Sequence, residues 1–244
     1  MQVHIVHVHP ESTSFNGAMT QTARESLTRA GHEVALSDLY AEGFDPVERG
    51  GHYRSRVDAK IFSPLAEQRH AHEAGSLPGD VVREIERLER ADLVIFQFPL
   101  WWHQVPAMLK GWMDRVFVNG GLYTSRMRYD RGYFKGRRAI VSLTTGAPAA
   151  AMGPGGRGGD IERLLWPVHY SLHYMGFSVL PPFLAFGVAG HGYSYADDGD
   201  FDALMKEHLE NWESRLGAIE RDEPLSFPGW GDWDGEGRKL EMTV

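Results

Sequence analysis

The chain predicts an α/β fold, an open parallel sheet with helices on both faces. Strand-like and helix-like segments alternate five times along it, the pattern of crossover-connected parallel strands. The segment "ADLVIFQFP" (91–99) is almost continuously apolar, as a central parallel strand covered on both faces must be. The 244 residues suit one large domain, or a domain with an appendage.

The elements follow in order. "VHIVHVHP" (3–10) is β-branched and apolar and breaks at Pro10, which reads as a buried first strand. Phe15, Met19, Ala23 and Leu27 then recur at helical spacing as far as Gly31. "HEVALSDL" (32–39) is a second short strand, and residues 41–80 read as irregular. Val81, Val82, Ile85 and Leu88 mark the second helix, and 91–99 the third strand. Val105, Met108, Leu109, Trp112, Met113 and Val116 form one wide apolar stripe on a helix starting near Pro106, a residue the first turn tolerates. "RRAIVSLTTG" is a fourth strand, and Ile161, Leu164, Leu165, Val168 and Met175 mark a fourth helix. "FSVL" begins a fifth strand that runs on irregularly to Val188. A last helix carries Phe201, Leu204, Met205, Leu209, Trp212 and Leu216. Residues 1–223 are expected to form the domain. Residues 224–244, rich in Trp and Gly, read as an extension packed on the domain or on a partner.

Composition excludes several classes. Net charge is −8, which argues against a nucleic-acid footprint. There is no cysteine, so disulfides, thiolate catalysis and Cys-based zinc sites are out. "MQVHIVHVHP" lacks the basic region and long apolar stretch of a signal peptide. Residues 177–190 contain Pro181 and Pro182 and fall short of the ~20 residues of a spanning helix. A soluble, cytoplasmic protein without membrane insertion is expected.

In open parallel sheets, ligands bind beyond the carboxyl ends of the strands. Three loops lie there. "HPESTSFN" offers Ser12, Thr13, Ser14 and Asn16 where helix amides already favour an anion. Plain capping needs only one such residue, and no G-K-[ST] of a P-loop is present. "FPLWWHQVP" puts Trp101, Trp102 and His103 between strand and helix. Trp is often core, but two consecutive rings in a loop do not easily point the same way, and flat apolar rings would suit a planar ligand. "LTTGAPAAAMGPGGRGGD" ends the fourth strand with Thr144, Thr145 and Gly146, a weak pattern by itself.

Its glycines 153, 155 and 158 fit G-x-G-x-x-G, the dinucleotide spacing. They follow the fourth strand rather than the first, and no acidic residue ends a following strand at the usual distance, so that reading falls. His169 and His173 lie four apart on a helix but find no convincing third ligand, and no metal is expected. The run Asp197, Asp198, Asp200, Asp202 lacks a calcium-loop pattern and suits a helix N-terminus. No Ser–His–Asp set stands out, and "GYSYA" is not a nucleophile elbow, which leaves the chemistry to a bound cofactor.

"HPESTSFNGAM", "ADLVIFQFPLWWHQVPAMLKGWMDRVF", "YDRGYFKGRRAIVSLTTGA" and "GFSVL" together resemble the NAD(P)H:quinone oxidoreductase family, flavoproteins of flavodoxin-like fold. The resemblance spans nearly the whole chain and is weakest in 41–75 and 190–200. It implies a five-stranded sheet of order 2-1-3-4-5. It also implies a homodimer with a flavin, usually FAD and otherwise FMN, in two sites at the subunit interface. The implied reaction is two-electron and ping-pong: hydride passes from NAD(P)H to flavin N5 and then to a quinone.

Position by position, the resemblance puts His9, Thr13, Ser14, Phe15, Asn16 and Ala18 on the phosphate and ribityl chain. Pro99, Leu100, Trp101, Trp102 and His103 fall along the isoalloxazine edge, and Thr144, Thr145, Gly146 and Ala147 over the ring. Trp102 and His103 would wall the substrate pocket, with Tyr123 donated by the partner subunit. The sequence also departs from the family. A tyrosine and a histidine near the flavin become Met152 and Gly158, a second pocket tyrosine becomes Ser125, a methionine becomes Arg128, and the aromatic of the strand-three loop becomes His103. Reduced flavin gains negative charge, which aimed donors or cations stabilise. Arg157, or Arg128 from the partner, is expected to compensate, with the amides near Gly146 and Ala147 assisting; a solvated loop charge is the plainer reading of Arg157. The loop's glycines are expected to widen the pocket wall around Met152, taken as a substrate contact. The alternatives are azo- or nitro-compound reduction, and an ancillary flavoprotein of a potassium efflux system. A one-electron carrier needs no nicotinamide pocket, which Trp101, Trp102 and His103 argue against.

Overall fold

A computed structural model describes residues 1–188 and 198–240. The strands are β1 (Gln2–His7), β2 (Glu33–Asp38), β3 (Leu93–Pro99), β4 (Arg138–Thr145), β5 (Ser178–Val179) and β6 (Phe183–Phe186). The longer helices are α1 (Phe15–Arg29), α2 (Pro64–Glu73), α3 (Gly79–Arg90), α4 (Ala107–Val116), α5 (Ile161–Tyr174) and α6 (Asp198–Ala218). The sheet is parallel in the order β2-β1-β3-β4-β5, with Ile5 beside Ile95 and Ile95 beside Ile140.

The expected fifth strand is two. β5 and β6 both pair with β4, and Pro181–Pro182 lie between them. Neither proline has an N–H to donate, so the ladder breaks there. The sheet therefore has six strands instead of five.

Strand alternation divides the core into two faces. Val3, Ile5, Leu93, Ile95 and Ile140 pack with Met19, Ala23 and Leu27 of α1 and Trp212 and Leu216 of α6. Val6, Val94, Phe96, Phe98, Val141 and Leu143 pack with Leu88, Leu109, Trp112, Leu165 and Leu172 from α3, α4 and α5.

The stretch expected to be irregular contains α2. That helix buries Glu67, Gln68 and Ala71, not an apolar stripe. Glu67 accepts from Arg56 Nε at 2.7 Å and from Val57 N–H at 3.0 Å. Gln68 donates to the Asp114 carbonyl at 2.8 Å and accepts from Asn119 N–H at 3.0 Å. Its partners lie far away in sequence, so a search for apolar periodicity passes over it.

A second polar cluster lies beneath α3. Glu84 accepts from Ser37 Oγ at 2.8 Å, from Arg87 at 2.6 Å and from Trp112 Nε1 at 2.8 Å. His4 Nε2 meets Ser37 Oγ at 2.7 Å. Burial, with Arg87 nearby, pushes the His4 pKa down to about 3, so the ring is neutral. No described helix is long and apolar enough to cross a membrane.

Candidate active site at the carboxyl edge of the sheet

The first loop runs from β1 into α1. Ser14 is the helix cap, its Oγ accepting from Gly17 N–H at 3.1 Å. A side chain at position 17 would strike the Ser12 carbonyl, so glycine lets the loop fold back on the helix. The first turn of α1 has no acidic residue, which keeps its amides open to an anion. Thr13 points both its N–H (3.0 Å) and its hydroxyl (2.9 Å) at the Glu11 carboxylate. Those bonds hold the Glu11 carboxyl below the usual carboxylate range. Glu11 N–H in turn donates to His9 Nδ1 at 3.1 Å, and the His9 ring lies 5.9 Å from Trp101. Phe15 packs on the sheet face covered by α1 and α6, beside His208, and Ala18 N–H donates to the Ser14 carbonyl at 3.0 Å.

Asn16 is buried, and its side chain faces other protein groups. It donates to Thr144 Oγ1 at 2.9 Å and accepts from Gln97 at 2.9 Å. The sequence places Asn16 and Thr144 at a ligand; the structure turns both side chains inward. They brace the first loop against the ends of β3 and β4.

The loop after β3 turns sharply. Trp101 N–H donates to the Gln104 carbonyl (3.2 Å) and Gln104 N–H to the Trp101 carbonyl (3.0 Å). Between them Trp102 and His103 have φ of 52° and 61°. Two positive φ values at the centre of a closed four-residue turn define the mirror-image type I′ geometry, which favours Asn-Gly. Bulky side chains adopt it at a cost of about 1–3 kcal/mol each. Trp102 stands 94% exposed at the tip. Leu100 N–H donates to the Thr144 carbonyl at 2.8 Å and ties this loop to β4.

After β4, Thr145 Oγ1 accepts from Ala147 N–H at 3.3 Å, and the Ala147 carbonyl accepts from Gly187 N–H at 3.0 Å. Gly146 lies against the Val188 carbonyl, 3.4 Å from where its Cβ would stand. Met152 is 3% exposed and packs in the larger core. It is therefore an interior residue of this chain and not a wall open to substrate.

The glycines also serve packing. A side chain at 156 would collide with the Ala151 carbonyl, and one at 158 would begin 2.6 Å from Met152 Sδ. They let the loop close on itself, whereas the sequence alone pointed to a widened wall. Asp160 ends the loop by capping α5, accepting from Glu162 N–H at 3.1 Å. Arg157 is exposed on the loop.

Tyr123 lies in a groove of about 550 Å³ between α4 and α5 that adjoins the loop after β3. Leu100, Gln104, Met113, Leu164 and Tyr174 line it with Tyr123. Burial raises the Tyr123 pKa. Arg128 donates to the Tyr174 hydroxyl (3.2 Å) and the Ser125 carbonyl (2.7 Å), and stacks over Tyr174 and Trp230. Within one chain, therefore, the strand loops gather at the sheet edge while Tyr123 and Arg128 sit by the groove.

Sequence reasoning missed the Gln97 brace and the cluster around Tyr129. The ring of Tyr129, at φ 58°, meets Tyr170, His173, Tyr174, Trp230 and Trp233. The density of Tyr and Trp in "RYDRGY" and "PGWGDW" was the available signal. His173 Nε2 bonds to the Pro228 carbonyl at 3.0 Å, while His169 Nε2 is buried without a partner among the described residues. Among the described residues no cluster of three or more His, Asp or Glu would hold a metal ion. Asp197 and "GYSYA" fall outside the described residues, and the Asp198 side chain is not described.

The family model described as flavodoxin-like fold matches residues 1–216. The chain belongs to this flavodoxin-like family. Among its flavodoxin-like relatives, NAD(P)H dehydrogenase [quinone] 1 of Cavia porcellus is 42% identical over 91% of this chain and 78% of its own. Ribosyldihydronicotinamide dehydrogenase [quinone] of Mus musculus is 39% identical over 94% of this chain and 96% of its own. A solved flavodoxin-like chain, NAD(P)H:quinone oxidoreductase from Methanothermobacter marburgensis, superposes with a TM-score of 0.66 at 28% identity, covering 90% of this chain and 97% of that one.

Proposed function

We propose that this protein is a flavin-dependent NAD(P)H:quinone oxidoreductase working by two-electron, ping-pong transfer. The observation that carries this is the identity, sustained over nine-tenths of the chain, with relatives named for quinone reduction. No feature of the site favours azo- or nitro-compound reduction or an efflux-regulating role over this reading.

The donor set fits a flavin. A hydroxyl-rich loop meets the N-terminus of a 15-residue helix whose first turn lacks acidic residues, which suits a phosphate. Ser12, Thr13 and the α1 amides would hold that phosphate, with Glu11 swinging off Thr13 to admit it. The brace of Asn16, Gln97 and Thr144 fixes the spacing between the first and third loops. Pro99, Leu100 and the Trp101–His103 turn form the flat wall, and Thr145, Gly146 and Ala147 the opposite one. FAD is the flavin this reading takes, ahead of FMN. When bound there, the flavin would supply the two-electron hydride chemistry between NAD(P)H and a quinone. Arg157, or Arg128 of a second copy, would offset the charge gained.

The active unit in this reading is a homodimer. Trp166 is 55% exposed beside the apolar groove between α4 and α5, and Leu65 projects from its rim. A second copy covering that groove would bring Tyr123 and Arg128 to its partner's sheet edge. Residues 224–240 then act as an extension of one domain.

Purified protein provides the test. A yellow preparation bleached by NADH or NADPH and reoxidised by a quinone is expected. A protein that neither nucleotide bleaches overturns the reading. Release and identification of the flavin separates FAD from FMN. Slower flavin reduction in Arg157→Ala or Arg128→Ala is expected, and unchanged reduction in both removes the compensating role.

A further inference from the structure

We propose that His103 is the acid that protonates the quinone oxygen, an inference resting on the reductase reading above. The overall change is NAD(P)H plus one proton plus quinone giving NAD(P)⁺ and hydroquinone. The hydride carries both electrons. The remaining proton has to reach a quinone oxygen, and a positioned side chain speeds that transfer. In this step the imidazolium N–H bond breaks, an O–H bond of the hydroquinone forms, and neutral imidazole regains a proton from water.

Geometry singles out His103. It lies in the turn after β3, at the sheet edge where the three loops converge, with its backbone at φ 61°. Backbone strain of this kind persists only where the surroundings over-determine it, and it is a pointer to function. Two main-chain hydrogen bonds between Trp101 and Gln104 hold the turn closed. The Gly-rich loop faces the ring closely: a Cβ at Gly159 would stand 3.8 Å from His103 Cδ2, in van der Waals contact.

Other groups near this edge are engaged. His9 is bonded to Glu11, Glu11 to Thr13, His7 to Thr20, and Asp160 to the α5 amide of Glu162. Neither ring nitrogen of His103 has a hydrogen-bond partner among the described residues, and the ring is exposed. Imidazole is also a side chain that can both donate and accept a proton, as a general acid must. The titratable or charged groups on the elements packed around it are Arg157, Asp160, Glu162 and Arg163 on the Gly-rich loop and start of α5. The His9 ring, bonded to Glu11, lies 5.9 Å from that of Trp101 at the start of the turn.

The test compares reoxidation of the reduced holoenzyme by a benzoquinone with reoxidation by ferricyanide, which takes electrons without a proton. His103→Asn keeps the turn, because Asn tolerates positive φ. The quinone-to-ferricyanide rate ratio is expected to fall about 10²-fold in that variant, and the decline of quinone reoxidation above neutral pH is expected to flatten. His103→Gly relieves the backbone, and added imidazole is expected to restore its ratio. An unchanged ratio in His103→Asn, or no recovery of His103→Gly with imidazole, overturns the proposal. If NAD(P)H never reduces the wild-type holoenzyme, the reductase reading itself fails, which is a separate outcome.

Discussion

His169 sits on α5 with its Nε2 buried and unpartnered among the described residues. Burial pushes its pKa down to about 4, while the unfolded chain takes up that proton below about 6.5. Between those values only the unfolded state binds the proton, so stability falls as pH drops through the window. His169→Leu should remove up to about 1.4 kcal/mol per pH unit of that dependence. Urea midpoints of both proteins at pH 5 and pH 8 check this; parallel pH dependences would count against it. Glu11 is the other residue with a definite consequence. Its carboxylate holds the Thr13 donors assigned to a phosphate. Glu11→Gln should tighten flavin binding about two- to fivefold, the scale of one charge at a helix N-terminus. Titration of the apoprotein by flavin fluorescence measures it, and equal or weaker affinity refutes it.

At the scale of elements, the Gly-rich loop gives a position-by-position prediction. Gly156→Ala drives a Cβ into the Ala151 carbonyl, and overpacking against backbone costs about 1–3 kcal/mol. Gly153 has open space around it and no positive φ, so Gly153→Ala should be neutral or slightly stabilising. Thermal unfolding of the two variants checks the contrast; equal effects would mean the loop does not close as described. Legibility also differed by element. β3, α4 and β4 announced themselves because each buries a continuous run or a wide stripe. α2 did not, because it is held by Glu67 and Gln68 bonding to residues 56, 57, 114 and 119. The break between β5 and β6 was written in Pro181–Pro182, yet only the ladder on β4 showed that both halves pair.

Across the whole molecule, the C-terminal segment reaches Arg128, which the proposed homodimer would present to a second copy. Trp230 N–H donates to Asp130 Oδ1 at 2.6 Å, and its ring lies under Arg128 and Arg131. Trp230→Ala removes one of the two rings under Arg128 while its bonds to Tyr174 and Ser125 remain, so it should slow flavin reduction less than Arg128→Ala does. Rapid-reaction measurement of flavin reduction in Trp230→Ala, Arg128→Ala and wild type decides it; an effect in Trp230→Ala as large as in Arg128→Ala speaks against it. In the proposed homodimer, Trp166→Glu places a charge on the covered face of α5 and should shift sedimentation velocity toward monomer; a wild-type protein that sediments as monomer refutes the dimer itself.

The sequence by itself determined the layer order and the three loops at the carboxyl edge, because periodicity and loop chemistry are local properties of the chain, and its long blocks carried the resemblance to the family. Tertiary structure alone decided which way those loop side chains point. Asn16 and Thr144 turned inward to each other, Met152 sank into the core, and Trp102 and His103 were held in a left-handed turn. The physical reason is that side-chain direction at a loop is fixed by contacts with residues distant in sequence. Asn16 with Thr144 and Asn16 with Gln97 are such contacts, and no spacing along the chain records them.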